Sequence, residues 1–229
     1  MSTLVVIGSN SKAWQCLNRD SDVINKMYES VIELRTRDLF VQPVGVKASS
    51  CTGPIDVLIF SFSRIMLDNL ALMKACNAQF RGNNIIYISS LSVHANSVCR
   101  HYNYPKMKVE CELLAGEFNF KILRLANVSA IAQMHEEISK RYLSHYTTAH
   151  ELLCGIKKCR KNKIVEAYAL CNKSRAPFWL TPIYLMYSTL FRFTPSLLVV
   201  MRPFDFLLRE LGSKYYGYNY IVENRPVSR

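Results

Sequence analysis

Tyr104 and Lys108 stand four residues apart in Tyr104-Pro105-Lys106-Met107-Lys108, and Ser90 lies fourteen residues before Tyr104. On a helix, residues at that spacing share one face. A lysine ammonium beside a phenol favours the phenolate, and a serine hydroxyl can hold the oxygen of a substrate. Together the three can move a proton to a carbonyl oxygen, or from a carbinol, while a nicotinamide transfers hydride. A Tyr-x-x-x-Lys pair alone recurs by chance in many chains. Here it gains weight because Ser89-Ser90-Leu91-Ser92-Val93 directly follows the apolar run Ile85-Ile86-Tyr87-Ile88. Open α/β sheets bind their ligands at such strand ends. The plainer reading stays open: a tyrosine starting a helix, a solvated lysine and a serine in an ordinary turn.

The elements that must position this set are legible as apolar runs. Residues 3–7, 31–34 and 56–60, Ile85-Ile86-Tyr87-Ile88 and residues 120–125 read as strands, and a third strand is expected near 40–46. Helical stretches are expected from Lys12, over 67–80 and over 105–118, where Pro105 is tolerated in a first turn. Short, nearly continuous apolar strands alternating with helices of ten or more residues are what a parallel sheet covered on both faces requires. The expected class is α/β, a doubly wound parallel sheet of Rossmann type. Residues 149–163 read as a further helix ending in Lys157-Lys158-Cys159-Arg160-Lys161-Asn162-Lys163, and 164–170 as a strand.

With these residues in view, the chain resembles the short-chain dehydrogenase/reductase superfamily, in particular its extended branch of nucleotide-sugar epimerases and dehydratases. Ile88-Ser89-Ser90-Leu91-Ser92-Val93 is similar to that branch's Ser-Ser-x-Ser-Val-Tyr strand end, with His94 where its tyrosine is usual. Leu123-Arg124-Leu125-Ala126-Asn127-Val128 is similar to its Leu-Arg-x-x-Asn-Val segment. The resemblance covers roughly the first 130 residues. It implies Tyr104 as acid/base, Lys108 as the group that orients it and contacts the cofactor ribose, and Ser90 as the binder of the reacting oxygen. It also implies that Asn127 lies near the nicotinamide or substrate, and that NADP or NAD is the cofactor.

The cofactor loop departs from the resemblance. Where the family carries Gly-x-x-Gly-x-x-Gly, this chain has Gly8-Ser9-Asn10-Ser11-Lys12-Ala13-Trp14. Gly8 is kept, and Ser11 is small enough to leave a phosphate site open beside Asn10. Trp14 must send its ring against the sheet or into the adenosine pocket. After the second strand Glu33 is followed by Arg35 and Arg37, whose guanidinium groups would accept a 2′-phosphate and favour NADP over NAD; two exposed loop arginines are the alternative. Phe60-Ser61-Phe62-Ser63 replaces the family's small turn after the fourth strand, leaving Ser61 as the small residue at the cofactor.

Beyond residue 173 the pattern changes. Residues 1–173 read as an NAD(P)-binding domain and 174–229 as an apolar, mainly helical, aromatic and basic extension. Residues 177–190 carry no charge, but the stretch up to Arg192 falls short of the roughly 20 residues a bilayer span needs. An interfacial membrane segment, a substrate cap and a dimer surface remain alternatives.

Composition bounds the partners. Twenty-nine Lys and Arg against 17 Asp and Glu give a net charge of +12, which favours nucleotides, an anionic membrane surface or nucleic acid. No nucleic-acid recognition motif is present, so no nucleic acid is expected. None of the eight cysteines forms a CxxC pair, and the histidines lack ligand spacing, so thiols are read as structural and no metal is expected. The reduced, structural thiols point to the cytoplasm, Met1 to Gly8 reads as a strand rather than a secretory signal, and peripheral attachment to the inner face of the cell membrane is the alternative placement. The expected activity is an NAD(P)-dependent oxidoreductase or epimerase in surface-polysaccharide synthesis. Its substrate would be a sugar or sugar-like alcohol, nucleotide- or lipid-linked, and a homodimer is among the alternatives that the extension leaves open. A non-catalytic module tethering a biosynthetic complex to the membrane is the competing reading.

Overall fold

Six short strands, each apolar on both faces or nearly so, run side by side in the computed structural model, which describes residues 2–41, 53–96, 103–128 and 145–170. They are β1 (Thr3–Ile7), β2 (Ser30–Leu34), β3 (Ile55–Ile59), β4 (Asn84–Ser90), β5 (Lys121–Leu125) and β8 (Ile164–Ala167). All pairings in this sheet are parallel, in the order β2-β1-β3-β4-β5-β8. Parallel neighbours need crossovers, and the helices that supply them bury both faces of the sheet.

The period of two along each strand sorts its side chains into two cores. Leu4, Val6, Leu58, Ile86 and Leu123 pack against Trp14 and Leu17 of α1 (Lys12–Leu17), Ile24 of α2 (Ser21–Asn25) and Leu152 and Ile156 of α6 (Ala149–Cys159). Val5, Ile7, Val57, Ile59, Ile85 and Tyr87 pack against Leu39 of α3 (Asp38–Val41), Leu72 and Cys76 of α4 (Met66–Gln79) and Cys111 and Ala115 of α5 (Asn103–Glu117). A second, small sheet, in the order β6-β7-β9, joins Asn127–Val128, His145–Thr147 and Ala169–Leu170.

Two local devices fix the last crossover. Thr148 and Glu151 form a capping box at the start of α6, satisfying amides that the first turn leaves open. Lys157 and Lys158 in its last turn face the negative end of the helix dipole. Near the amino-terminal ends of the strands, Asp56 is only 2% exposed and is the hub of a buried cluster. Tyr28 Oη donates to its Oδ2 at 2.6 Å, Arg160 Nη2 to the same oxygen at 2.8 Å, and Asn84 Nδ2 to Oδ1 at 2.6 Å. Burial and the neighbouring carboxylate both push the Tyr28 phenol well above its ordinary pKa.

The expected strand near 40–46 is corrected where it can be seen. Phe40 and Val41 belong to α3, because the Asp38 carboxylate accepts from the Arg35 amide at 3.0 Å and starts a helical turn. That turn buries Leu39 and leaves Phe40 and Val41 exposed; residues 42–46 lie outside the described residues. The helix expected over 149–163 ends at Cys159, and the strand expected over 164–170 divides at Tyr168, so that β9 leaves the main sheet to pair with β7. The extension at 174–229 lies outside the described residues. Among the described residues no helix is long and apolar enough to cross a membrane, and no group of His, Cys, Asp and Glu could hold a metal ion.

Candidate functional site

At the carboxyl end of β4 the chain turns through a 3-10 segment, Leu91–Ala95, whose N-cap is Ser90. The Ser90 hydroxyl accepts from the Ser92 amide at 3.2 Å, so its own proton remains to be donated. The neighbouring Ser89 and Ser92 are buried, and their hydroxyls have no hydrogen-bond partner among the described residues. Buried hydroxyls without partners carry a cost that a bound polar group would relieve.

The segment packs against α5, the helix that carries the other two residues. Tyr104 lies in its first turn, 41% exposed, with its ring edge-on to Phe62 at 5.6 Å between centroids. Lys108, one turn later, points inward and is 5% exposed. Its Nζ donates to the Tyr87 hydroxyl and to the Ile88 carbonyl, each at 3.2 Å. The same nitrogen lies 4.6 Å from the centroid of Phe62, 5.0 Å from that of Tyr87 and 5.9 Å from that of Tyr104. Burial pushes the Lys108 pKa down to about 8, while Cys111 and Glu112 pull it the other way. The Tyr87 phenol is held well above its ordinary range, chiefly by burial. The spacing of Tyr104 and Lys108 thus brings them together as expected, and Ser90 stands two residues beyond the carbonyl that holds Lys108.

A polar chain fixes α5 against the sheet. Arg124 on β5 grips Glu112 of α5 through Nε at 2.9 Å and Nη2 at 2.7 Å, and reaches Glu166 on β8 through Nη1 at 3.3 Å. His94 Nε2 meets the same Glu166 oxygen at 2.7 Å. Burial works against the Arg124 charge, but the two carboxylates outweigh it and hold its pKa above the ordinary value. Sequence reasoning singled out His94 only as a departure and missed this chain, whose members are 72 residues apart at one link and 42 at another.

Of the residues expected at a cofactor, Gly8, Asn10, Ser11 and Arg35 follow the carboxyl ends of β1 and β2, and Ser61 follows that of β3. Gly8 has φ +84°, and a β-carbon there would sit 2.7 Å from the Ser61 amide nitrogen, so only glycine fits this turn. Ser11 caps α1, accepting from the Trp14 amide at 3.2 Å. Trp14 is fully buried against the sheet, its ring 5.6 Å from that of Phe60 and its Nε1 donating to Glu33 at 2.9 Å. Asn18 donates to the same carboxylate oxygen at 2.9 Å. Ser61 accepts from the Thr36 hydroxyl at 2.8 Å.

A cavity of about 540 Å³ opens here, lined by Ser9, Asn10, Arg19, Glu33, Arg35 and Asp38 among others. Its size lies in the range of small-molecule pockets. Arg35 faces the cavity; Arg37 lies outside it, with its side chain 72% exposed beside Asp38 at 3.8 Å. Asn127 begins β6. Two arginines line the cavity, a chemistry suited to an anionic group such as a phosphate, beside two carboxylates already engaged: Glu33 accepts from Trp14 and Asn18, and Asp38 from the Arg35 amide.

The sheet order and the gathering of polar groups at its strand ends define a doubly wound, Rossmann-like α/β domain. No family model matches the sequence, and no curated protein matches it. Among solved structures it is similar to the capsular polysaccharide assembling protein CapF from Staphylococcus aureus, with a TM-score of 0.45 and 12% identity. That likeness covers 94% of this chain and 64% of the other, so the chain spans less than two thirds of that protein's length. At this level the likeness adds nothing to the reading of the site.

Proposed function

We propose that the protein is an oxidoreductase or epimerase of the short-chain dehydrogenase/reductase type, dependent on NADP or NAD. Its substrate is a sugar or sugar-like alcohol or ketone, nucleotide- or lipid-linked, and its setting is surface-polysaccharide synthesis. The observation that carries this reading is the inward lysine, Lys108, held 5.9 Å from the Tyr104 ring centroid beside a serine-rich strand end. Tyr104 passes the proton, Lys108 supplies positive charge next to the phenol, and Ser90 donates its hydroxyl proton to the reacting oxygen. Gly8, Asn10, Ser11 and Ser61 border the dinucleotide's phosphates, Arg35 takes the 2′-phosphate, and Asn127 lies toward the nicotinamide. When bound, the nicotinamide supplies or accepts the hydride.

A second reading, a Rossmann-like module without catalysis that tethers a biosynthetic complex to a membrane, draws on Trp14. Its ring fills the place where the loop's third glycine would let the helix approach the sheet. Titration of the full chain with NADPH and NADH, followed by nicotinamide fluorescence, separates the two. Micromolar NADPH binding that weakens about tenfold or more in Arg35→Ala, with NADH unaffected, supports the enzyme, since a lost charge-assisted phosphate contact costs on the order of 1.5–3 kcal/mol. No binding of either nucleotide at millimolar concentration sinks it in favour of the module.

A further inference from the structure

A buried lysine ordinarily keeps its charge by pairing with a carboxylate. Lys108 does otherwise. Its two hydrogen-bond acceptors are a phenol and a main-chain carbonyl, and three aromatic rings surround it at 4.6, 5.0 and 5.9 Å. The nearest carboxylate on its own helix, Glu112, is occupied by Arg124 from β5. The other ionisable groups facing it are Tyr87 from β4 and Cys111 and Tyr104 from its own helix. Two of the rings have no part in the Ser-Tyr-Lys set: Tyr87, between Ile86 and Ile88 in β4, and Phe62 in the turn after β3.

We propose that Tyr87 and Phe62 are positioning residues of the proton-transfer site, holding the Lys108 ammonium beneath Tyr104 through a hydroxyl acceptor and an aromatic face instead of a carboxylate. This rests on the dehydrogenase reading for its purpose, but the cage itself is independent of any cofactor. The division of labour is physical. The Tyr87 oxygen and the Ile88 carbonyl fix the nitrogen in place, since each offers a lone pair in a fixed direction. The face of Phe62 stabilises positive charge without taking up an N–H in a hydrogen bond, while the Glu112 charge acts on the nitrogen only from a distance. Phe62 also touches Tyr104 edge-on, so a single ring sets the position of both members of the pair.

The test is a titration of the full chain labelled with [13Cε]lysine, the Lys108 resonance being assigned by its loss in Lys108→Met. In the wild type its midpoint is expected near about 8, where burial places it, against about 10.4 for surface lysines. Tyr87→Phe removes an acceptor from the charged form and is expected to lower the midpoint by about one unit. Phe62→Leu is expected to lower it by roughly half a unit, and Phe62→Tyr, which restores a ring face, to return it to the wild-type value. A wild-type Lys108 resonance without the ring-current shift that the nearby aromatic faces impose overturns the proposal even if a variant does not fold. So does a midpoint that stays put in both Tyr87→Phe and Phe62→Leu. The titration uses neither nucleotide nor substrate, so its failure is distinct from a failure to bind NADPH, which overturns the dehydrogenase reading.

Discussion

Replacing Lys108 by methionine keeps an unbranched apolar stem in the same place and removes the buried charge. The folded protein holds the Lys108 pKa at about 8 against 10.5 in the open chain. At about 1.4 kcal/mol per unit, that difference amounts to about 3 kcal/mol. The sign follows from proton counting. Between about pH 8 and 10.5 the unfolded chain carries the proton that the folded chain has lost, so stability rises with pH across that window. The contribution is fully present above the unfolded value and is lost as pH falls through the folded one. Urea unfolding of both proteins, followed by far-ultraviolet circular dichroism from pH 7 to 10.5, isolates the effect. Other titrating groups, the cysteines and Tyr28 among them, are common to both proteins and cancel in the difference. The Tyr87 hydroxyl, left without its donor in the variant, adds an offset that does not change over the window. Wild-type stability minus that of Lys108→Met is therefore expected to climb by about 3 kcal/mol between pH 7 and 10.5. A difference flat to within about 0.5 kcal/mol would refute the reasoning that desolvation dominates at this nitrogen.

Three more outcomes are open to measurement. Asp56→Ala strips Tyr28, Asn84 and Arg160 of a common acceptor and is expected to cost about 3 kcal/mol or more in denaturant unfolding; a loss below about 1 kcal/mol would deny the cluster its structural weight. Gly8→Ala forces a β-carbon to within 2.7 Å of the Ser61 nitrogen at positive φ, so about 2 kcal/mol or more of stability should go, and the midpoint of unfolding reports it. Burial pushes both Cys76 and Cys159 up to about 12, so at pH 8 a thiol reagent is expected to spare them in the native protein and to label the partly exposed Cys154 ahead of them; rapid native labelling of Cys76 would contradict the packing.

The strands that carry the site were legible because a strand buried on both faces leaves an unbroken apolar run: Thr3–Ile7 emerges residue for residue, and β3, β4 and β5 to within two residues at either end. Phe40 and Val41 misled for the same reason. Their side chains favour a strand, but the Asp38 carboxylate bound to the Arg35 amide starts a helix before propensity can act. The Tyr104 and Lys108 pairing could be read from spacing alone. That the lysine would be buried could not, because Phe62 and Tyr87 reach it from the turn after β3 and from β4, 46 and 21 positions away. Trp14 was legible as a problem with two solutions, and its full burial beside Phe60 selects the sheet. Asp56 looked like one polar residue in an apolar strand. Its partners lie 28 residues away on either side and 104 residues downstream, at distances no local pattern encodes.

That last separation ties the middle of the sheet to its last crossover. Tyr28, Asp56 and Asn84 all precede α6, so the cluster takes two neutral donors from the first half of the chain and its cation from a residue that follows that helix. Arg160, arriving one residue after α6 ends, brings the only charge-neutralising partner of Asp56 among the described residues. Without that cation the buried carboxylate keeps neutral donors alone, which raises the cost of closing the core around it. The bridge therefore couples two regions that no backbone ladder joins: a loss of α6 or of the turn that follows it is felt at β3, in the centre of the sheet, and not only at the edge where β8 pairs.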